Sequence, residues 1–297
     1  MTDSLPSISA VPQPDCEPFD PLPRPPAFVV PENACDCHFH LYGPYARYPL
    51  VERRPFTPAP ATFEDCTRMH GALGIGRGVL VHSALNRPGS PISLHALRAA
   101  GGRWRGIAAL HAGESIAHLG DLGALDAAGF RGVRLNFVES SDTSALEAVA
   151  DAVRPFGWHV ELLVKLDVLL ALAPRLRALP VPCVVDHLGF TRAKEGVAHR
   201  GFQELLALLR EGACWVKLSG ADRIGNAELG YADALPYMRA LVEADVSRLL
   251  WGTDWPHVRG RAMPNDGDLL NLFARAVPDA GMRRAILVDN PARLYRF

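Results

Sequence analysis

Eight short apolar runs recur along the chain and constrain its fold more than any other feature. The stretches between them have helix-like spacing, as in residues 63–73 and 202–212. Near-continuous apolar strands that alternate with helices are typical of parallel strands covered on both faces. Eight such units predict an α/β protein built as a (β/α)8 TIM barrel. The runs are residues 34–40, 77–83, 105–111, 130–136, 158–164, 181–187, 214–220 and 248–254.

An open, doubly wound sheet is the alternative architecture for alternating strands and helices. It would be favoured by a glycine-rich phosphate turn after an early strand, and the sequence contains neither a GxGxxG nor a P-loop motif. The 297 residues are within the size of one large barrel. Residues 1–31 carry nine prolines, which predicts an extended or partly disordered segment before a barrel of residues 32–297.

Composition excludes several classes of function. A net charge of −1 and the lack of a basic run argue against nucleic acid as a partner. No apolar stretch is long enough to cross a membrane, and the first residues lack the pattern of a signal peptide. The six cysteines form no CxxC pair. We therefore expect a cytoplasmic protein, whose oligomeric state, monomer or homo-oligomer, stays open.

Polar residues follow most of the predicted strands, at the end where a TIM barrel carries its active site. Polar side chains in apolar strands cost free energy unless they are paired or used. Their recurrence at one end predicts a single site at the barrel mouth. In chain order these residues are His38, His40, His82, Ser83, His111, Arg134, Asn136, Asp186, His187, Lys217, Ser219, Arg223, Thr253, Asp254 and His257.

The pair His38 and His40 lies in the first predicted strand, where a spacing of two sends both imidazoles to one face. Such a pair alone is more often structural, but His187 and Asp254 at other strand ends reverse that interpretation. Asp186 is expected to point away from the lumen and to make a structural pairing. The remaining histidines have ordinary explanations: His70, His95, His118 and His199 at the surface, and His159 as a structural residue at the start of strand five.

Four motifs carry a family resemblance: HFH at 38–40, DHLG at 186–189, WGTDWPH at 251–257 and DNPARLYRF at 289–297. With them the chain resembles the amidohydrolase superfamily from about Ala34 to its end. Within that superfamily it is most similar to the 2-pyrone-4,6-dicarboxylate lactonase branch of the amidohydrolase-2 group.

This resemblance implies hydrolysis of a small carboxylated lactone without a bound metal. By position, His38, His40 and His187 would polarise the lactone carbonyl, and Asp254 would take a proton from the attacking water. Arg134 and Arg223 match arginines that hold the substrate's carboxylates. Guanidinium groups suit that role because they bind carboxylates bidentately. Further candidates for substrate binding are His82, Ser83, Asn136, Ser219, Tyr48 and His257.

The sequence also departs from that branch at positions that would hold the substrate. The stretch after strand four contains no arginine where one is expected; it contains Glu139 and Asp142 instead. Leu163 stands where a tyrosine is expected. Phe190 takes the place of an arginine after DHLG, with Arg192 two residues on. We therefore favour a muconolactone-type or sugar-acid-type ring over the pyrone dicarboxylate.

A metal-dependent site is the alternative to this chemistry. Three imidazoles can donate hydrogen bonds, or they can hold Zn²⁺ together with Asp254. The resemblance favours no cofactor; if a metal binds, its ligands are expected to be His38, His40, His187 and Asp254. Two other activities use the same scaffold, a lactone isomerase and a Zn²⁺-dependent amidohydrolase or decarboxylase. Against the last stands Arg134, which occupies the position of a bridging carboxylate or lysine on strand four.

Overall fold

The eight predicted strands form one parallel sheet in the computed structural model, which describes residues 14–87, 91–110, 114–138, 142–258 and 262–297. Each strand pairs with the next one in the chain. Backbone hydrogen bonds from Cys37 to Trp251 and from His40 to Trp255, each 2.8 Å, close the sheet between its first and last strands. The predicted (β/α)8 barrel is thus confirmed. Its strands are Cys35–Phe39 (β1), Arg77–Val81 (β2), Trp104–Leu110 (β3), Phe130–Asn136 (β4), His159–Leu163 (β5), Cys183–Val185 (β6), Trp215–Lys217 (β7) and Leu249–Leu250 (β8).

Helices fill the intervals between the strands. The predicted helix at 63–73 is confirmed: Thr62 caps its start in a reciprocal capping box with Asp65, and Gly74, at φ 74°, ends it. The α-helices are Phe63–Leu73 (α1), Ile92–Ala99 (α2), Leu122–Ala127 (α3), Leu146–Val153 (α4), Leu166–Ala178 (α5), Arg200–Arg210 (α6), Ala221–Ile224 (α7), Leu235–Asp245 (α8), Asp266–Ala276 (α9), Ala280–Arg284 (α10) and Asn290–Tyr295 (α11), with a π-helical turn at Ala285–Asp289. Single 3-10 turns lie at Ile116–Leu119, Arg154–Phe156, His187–Gly189, Ala193–Glu195, Ala227–Leu229, Ala232–Ala234 and Val246–Arg248.

Two hydrophobic layers hold this architecture together. The larger lies between the strands and the surrounding helices. The smaller is a buried cluster to which most strands contribute, and α11 packs against it with Leu294 and Tyr295. That cluster fills the barrel interior toward the amino-terminal ends of the strands, so polar groups are gathered toward the other end. The strand residues of the cluster are Cys35, Cys37, Val79, Val81, Ile107, Val184, Trp215 and Leu250.

The last three strands are shorter than their predicted runs. The chain leaves β6 into His187 at φ 51°, and it reaches Asp254 after β8 at φ 67°. Positive φ is uncommon outside glycine and is found where the surroundings enforce it, frequently at functional sites. The two residues therefore stand in turns at the barrel mouth instead of continuing the strands.

The proline-rich segment, as far as it is described, runs from residue 14 to 31 without helix or strand. Its backbone amides at Arg24 and Ala27 donate to side-chain oxygens at the start of α9 and within it, at 2.8 and 2.6 Å. Gly267 of α9 permits this approach, because a Cβ there would lie 1.8 Å from the Arg24 carbonyl oxygen. The Phe19 ring packs 4.7 Å from Trp255, so the segment covers the turn that follows β8. Residues 1–13 lie outside the described residues.

In the described ranges, no helix has both the length and the apolar composition needed to span a bilayer. All six cysteines fall in these ranges, and none of them forms a disulfide.

Candidate active site

Asp254 lies at the centre of a buried group of three imidazoles at the barrel mouth. Its Oδ1 is 3.6 Å from Nε2 of His38, 3.7 Å from Nε2 of His40 and 3.9 Å from Nε2 of His187. None of the four residues is more than 6 % exposed. The structure thus brings together, from β1, β6 and β8, the four residues that the sequence singles out as catalytic.

An irregularity in β1 aims the two histidines of that strand. The pairing register with β2 shifts between Asp36 and Phe39, as it does at a β-bulge. Cys35 and Cys37 therefore face the interior cluster, and His38 after the shift faces the mouth on the same inner side. The sequence predicts the common face of His38 and His40, but it gives no sign of the bulge.

Asp36 braces the turn that carries Asp254. Its carboxylate accepts hydrogen bonds from the Thr253 amide (3.0 Å) and hydroxyl (2.6 Å) and from the His38 amide (3.0 Å). Nε2 of His70 lies 3.1 Å from the same carboxylate. The expectation of a surface position for His70 is wrong, because this contact draws the imidazole into the barrel wall at 4 % exposure.

Hydrogen bonds at Nδ1 fix the orientation of two of the imidazoles. Nδ1 of His40 lies 2.8 Å from the Val81 carbonyl, which can only accept, so neutral His40 carries its lone pair on Nε2, toward Asp254. Burial lowers the pKa of His40 to about 4, which keeps it neutral near pH 7. Nδ1 of His187 lies 2.9 Å from the Ser219 hydroxyl, and burial lowers the pKa of His187 as well.

Arg223 pairs directly with Asp254. Its Nε donates to Oδ2 of Asp254 at 2.5 Å, and its Nη1 donates to the Val258 carbonyl at 2.9 Å. Burial by itself would raise the pKa of Asp254, but Arg223 and the imidazoles outweigh burial and hold that pKa well below its ordinary value. Asp254 is therefore ionised near pH 7.

A second layer of charge lies beneath His38, inside the barrel. Nζ of Lys217 is 2.5 Å from Glu161, 3.3 Å from Asp186 and 3.0 Å from Nδ1 of His38. Nε of Arg134 donates to Asp186 at 2.8 Å. Burial raises the pKa of Glu161 to about 7, whereas Lys217, His38 and Arg134 together lower the pKa of Asp186 against the effect of its burial. The sequence analysis placed Lys217 among the polar residues of the mouth without giving it a role, and it did not select Glu161, although both are charged residues within apolar strands.

The expectation that Asp186 points away from the lumen is wrong. Strand alternation from Val184, a member of the interior cluster, turns Asp186 inward to Arg134 and His38. The positive φ of His187 then breaks the alternation and brings this next side chain to the same inner face.

A tyrosine that the sequence analysis did not select lies beside His40. The Tyr42 hydroxyl donates to the Ser83 hydroxyl oxygen at 3.0 Å, and the rings of Tyr42 and His40 are 6.4 Å apart. The sequence feature that could have identified Tyr42 is its position two residues after His40. Tyr48, the residue selected instead, lies in a turn after Gly43, and its hydroxyl contacts Nδ1 of His95 at 2.9 Å. The structure therefore does not place Tyr48 with the catalytic group.

Three other candidates for substrate binding have partners of their own. Nδ1 of His82 contacts the Ser93 hydroxyl of α2 at 2.8 Å. The Asn136 oxygen accepts from the Val138 amide two residues on, at 3.0 Å. His257 is buried between Asp266, at 2.9 Å, and Asp222, at 3.7 Å.

The surroundings of His257 correct its expected role. Burial by itself would lower its pKa, but the two carboxylates raise that pKa to about 10. His257 is therefore an imidazolium that ties the turn after β8 to α7 and α9, and it does not face a substrate. Two further positions named from the sequence, His111 and Glu139, lie outside the described residues.

The donor set of the site fits a zinc ion. His38, His40 and Asp254 offer ligand atoms within 4.8 Å of one another, as do His38, Asp186 and His187. Imidazole nitrogen and carboxylate oxygen are ligands that Zn²⁺ takes in proteins. Nε2 of His38 is buried and has no hydrogen-bond partner among the described residues.

Comparisons with known proteins agree with this barrel. The family model described as Amidohydrolase matches residues 35–297, so the chain belongs to that family. It is 37% identical over 274 residues to the 4-sulfomuconolactone hydrolase of Hydrogenophaga intermedia, covering 90% of each chain. It is 34% identical to the 2-pyrone-4,6-dicarbaxylate hydrolase of Comamonas testosteroni, covering 92% of this chain and 93% of the relative.

Among solved structures, the chain is similar to a probable 2-pyrone-4,6-dicarboxylic acid hydrolase from Acinetobacter baumannii with citric acid bound. The TM-score is 0.78 at 26% identity, over 89% of this chain and all of the other (100%). The resemblance inferred from the four sequence motifs is thereby confirmed, and the relatives that carry it are lactone hydrolases.

Replacing Lys217 by Met should lower the free energy of unfolding by about 3–5 kcal/mol, because Glu161 is left without its buried cation. The loss should be larger at about pH 8.5 than at about pH 6. The folded-state pKa of Glu161 is raised, and more so without Lys217, so the folded protein is destabilised as the pH rises toward and through that pKa. Adding Glu161→Gln should recover part of the loss. Urea unfolding measures all three proteins.

Lys165→Met is the matched control, because Lys165 is exposed at the start of α5. It should change the free energy of unfolding by less than about 0.5 kcal/mol. A Lys217→Met variant as stable as this control would show that the buried pair does not support the barrel.

Proposed function

We propose that this protein hydrolyses a small anionic lactone at the barrel mouth. The observation that carries the proposal is the convergence of three imidazoles on Oδ1 of Asp254, at 3.6–3.9 Å. Ring opening of a lactone by water needs a base for the water and positive or donor groups where negative charge develops on the carbonyl oxygen. Asp254 supplies the base, and the imidazoles surround the space where the carbonyl would bind.

Two arginines support an anionic substrate. The Arg134 side chain is 13 % exposed and uses Nε for Asp186, and its two amino groups make no hydrogen bond to the described residues, so they can hold a ligand at the mouth. Arg223 uses Nε and Nη1 for Asp254 and Val258, which leaves Nη2 as the group without a contact in the described part of the chain. A carboxylate or sulfonate on the lactone ring fits these donors.

Binding of that anion would also strengthen the base. A carboxylate in a 2.5 Å ion pair with Arg223 is a weak proton acceptor, because the guanidinium stabilises its ionised form. A substrate anion that shares Arg223 weakens this pull and raises the pKa of Asp254 toward its ordinary value. Asp254 would then take a proton from water more readily with substrate bound than without it.

The class of lactone follows from the relatives together with the sequence departures. Two curated relatives, at 37% and 36% identity, are 4-sulfomuconolactone hydrolases. Phe190 and Leu163 stand where an arginine and a tyrosine are expected, so two groups that would hold a pyrone dicarboxylate are missing. Both observations support a muconolactone-type ring with an anionic substituent.

Two features of the site favour metal assistance over the metal-free chemistry expected from the sequence. Neutral His40 presents a lone pair to the centre, so it suits a metal ligand better than a donor to a carbonyl. The low pKa of Asp254 also makes it a poor base on its own. His38, His40, His187 and Asp254 would hold Zn²⁺, which when bound lowers the pKa of water and polarises a carbonyl.

Replacing Asp254 by Asn should lower kcat for the lactone by about 10²–10⁴-fold, because the amide cannot accept the proton of water. Circular dichroism should show an unchanged fold, since Asn has the same shape as Asp. Asp167→Asn, at an exposed position in α5, should keep the wild-type kcat. Near wild-type turnover by Asp254→Asn would remove Asp254 from the role of base.

Metal dependence is tested by elemental analysis and chelation of the purified protein. We expect about one zinc per chain, and activity at least about tenfold lower after chelation that returns with added zinc. His40→Ala should lose the zinc. Full activity of a zinc-depleted protein would reject metal assistance, whereas the proposed hydrolysis of a lactone would remain supported.

A further inference from the structure

A cavity lined by several arginines lies at the opposite end of the barrel from Asp254. It measures about 390 Å³, and we call it the basic pocket, defined by His159, Trp215, Arg248, Arg293 and Arg296. His159 and Trp215 begin β5 and β7, and Arg248 directly precedes β8. The pocket is therefore built on the amino-terminal ends of the strands and on α11, far from the residues proposed for lactone hydrolysis.

The basic pocket has an excess of positive charge. Its described lining includes three arginines and no carboxylate. Carboxylates outside the lining compensate two of them in part: Asp245 lies 3.8 Å from Arg248, and Asp126 lies 3.3 Å from Arg296. The contacts of Arg293 are to uncharged oxygens, the Ser247 carbonyl and the Asn290 side chain.

One indole ring system contacts two of these cations. The guanidinium carbon of Arg293 lies 4.8 Å from the centre of a Trp215 ring, and that of Arg248 lies 5.6 Å from it. Cation–π contacts of this kind fix both side chains in place. Two like charges near one indole repel each other, and an anion bound in the pocket offsets that repulsion.

A buried histidine, His159, lies beside the arginines in the lining of the basic pocket. His159 is 1 % exposed, and neither of its ring nitrogens makes a hydrogen bond of acceptable geometry to the described residues. Buried polar atoms normally have a partner, because leaving one unsatisfied costs free energy. Both nitrogens are closed off from the cavity, and Nε2 packs against Gly132 of β4, where an added Cβ would lie 2.7 Å from it. The inference therefore rests on the three arginines that line the pocket.

We propose that the basic pocket binds a small polyanion through its three guanidinium groups. The ligand chemistry is two or more charged oxygens on one compact group, as in phosphate or a polycarboxylate. Arginine binds both bidentately. The bound anion joins Arg293 and Arg296, in and directly after α11, to Arg248 directly before β8, so it stabilises the end at which the last helix closes the barrel.

The test measures thermal unfolding and calorimetric binding with sodium phosphate and, separately, with sodium citrate. Sodium chloride at matched ionic strength is the reference for general salt effects. We expect at least one of the two anions to raise the Tm saturably. Arg293→Gln and Arg248→Gln should each weaken its binding at least about fivefold and keep the wild-type kcat and KM, because the pocket is remote from Asp254.

Arg192→Gln is the matched control, since Arg192 is exposed in the loop after β6 at the catalytic end. It should bind the anion as the wild type does. If neither anion binds saturably, or if Arg192→Gln weakens binding while Arg293→Gln does not, the proposal is overturned. If Arg293→Gln does not fold, Arg248→Gln decides in the same way. The binding and Tm results do not depend on lactone hydrolysis.

Discussion

The buried ion pair of Lys217 with Glu161 is the interaction on which the active site rests. Nζ of Lys217 and Oε2 of Glu161 are 2.5 Å apart inside the barrel, and both side chains are fully buried. Removing such charges from water costs several kcal/mol, and their attraction offsets this only when the remaining hydrogen-bonding capacity is used. Asp186 and Arg134 add one negative and one positive charge to the same cluster, so its charges balance. Oε1 of Glu161 and Oδ1 of Asp186 nevertheless make no hydrogen bond to the described residues. His38 lies directly on this balanced layer.

Along the barrel axis, the apolar residues that stabilise the fold and the residues proposed for catalysis lie at opposite ends. Apolar side chains and the C-terminal helix fill the amino-terminal part of the interior, and the charge cluster and the imidazoles follow toward the mouth. Asp36 ties the first strand to the turn after the last one, which holds His38 and Asp254 at a fixed separation. Catalysis by positioned groups needs that rigidity, since small displacements of reacting groups are costly.

The sequence could predict the eight strands because each is a short apolar run between helix-like stretches. It could predict the four central residues because they lie at or near strand ends and within the family motifs. It could not predict features that depend on tertiary geometry. The bulge in β1 has no composition of its own, and positive φ at His187 and Asp254 is imposed by contacts. Tyr48 was selected and Tyr42 was not considered, and no sequence pattern marked the turn at Gly43 (φ 67°) that separates the two. His257 was misjudged because its partners Asp222 and Asp266 come from other elements of the chain.

The central claim is that water attacks the carbonyl of a lactone held between the imidazoles and Asp254. The most direct test is turnover of a muconolactone in water enriched in the heavy isotope of oxygen, with mass spectrometry of the product. The account predicts one heavy oxygen per product molecule, located in the new carboxylate. An unlabelled product, as a lactone isomerase would give, or a label in the new hydroxyl group would contradict it.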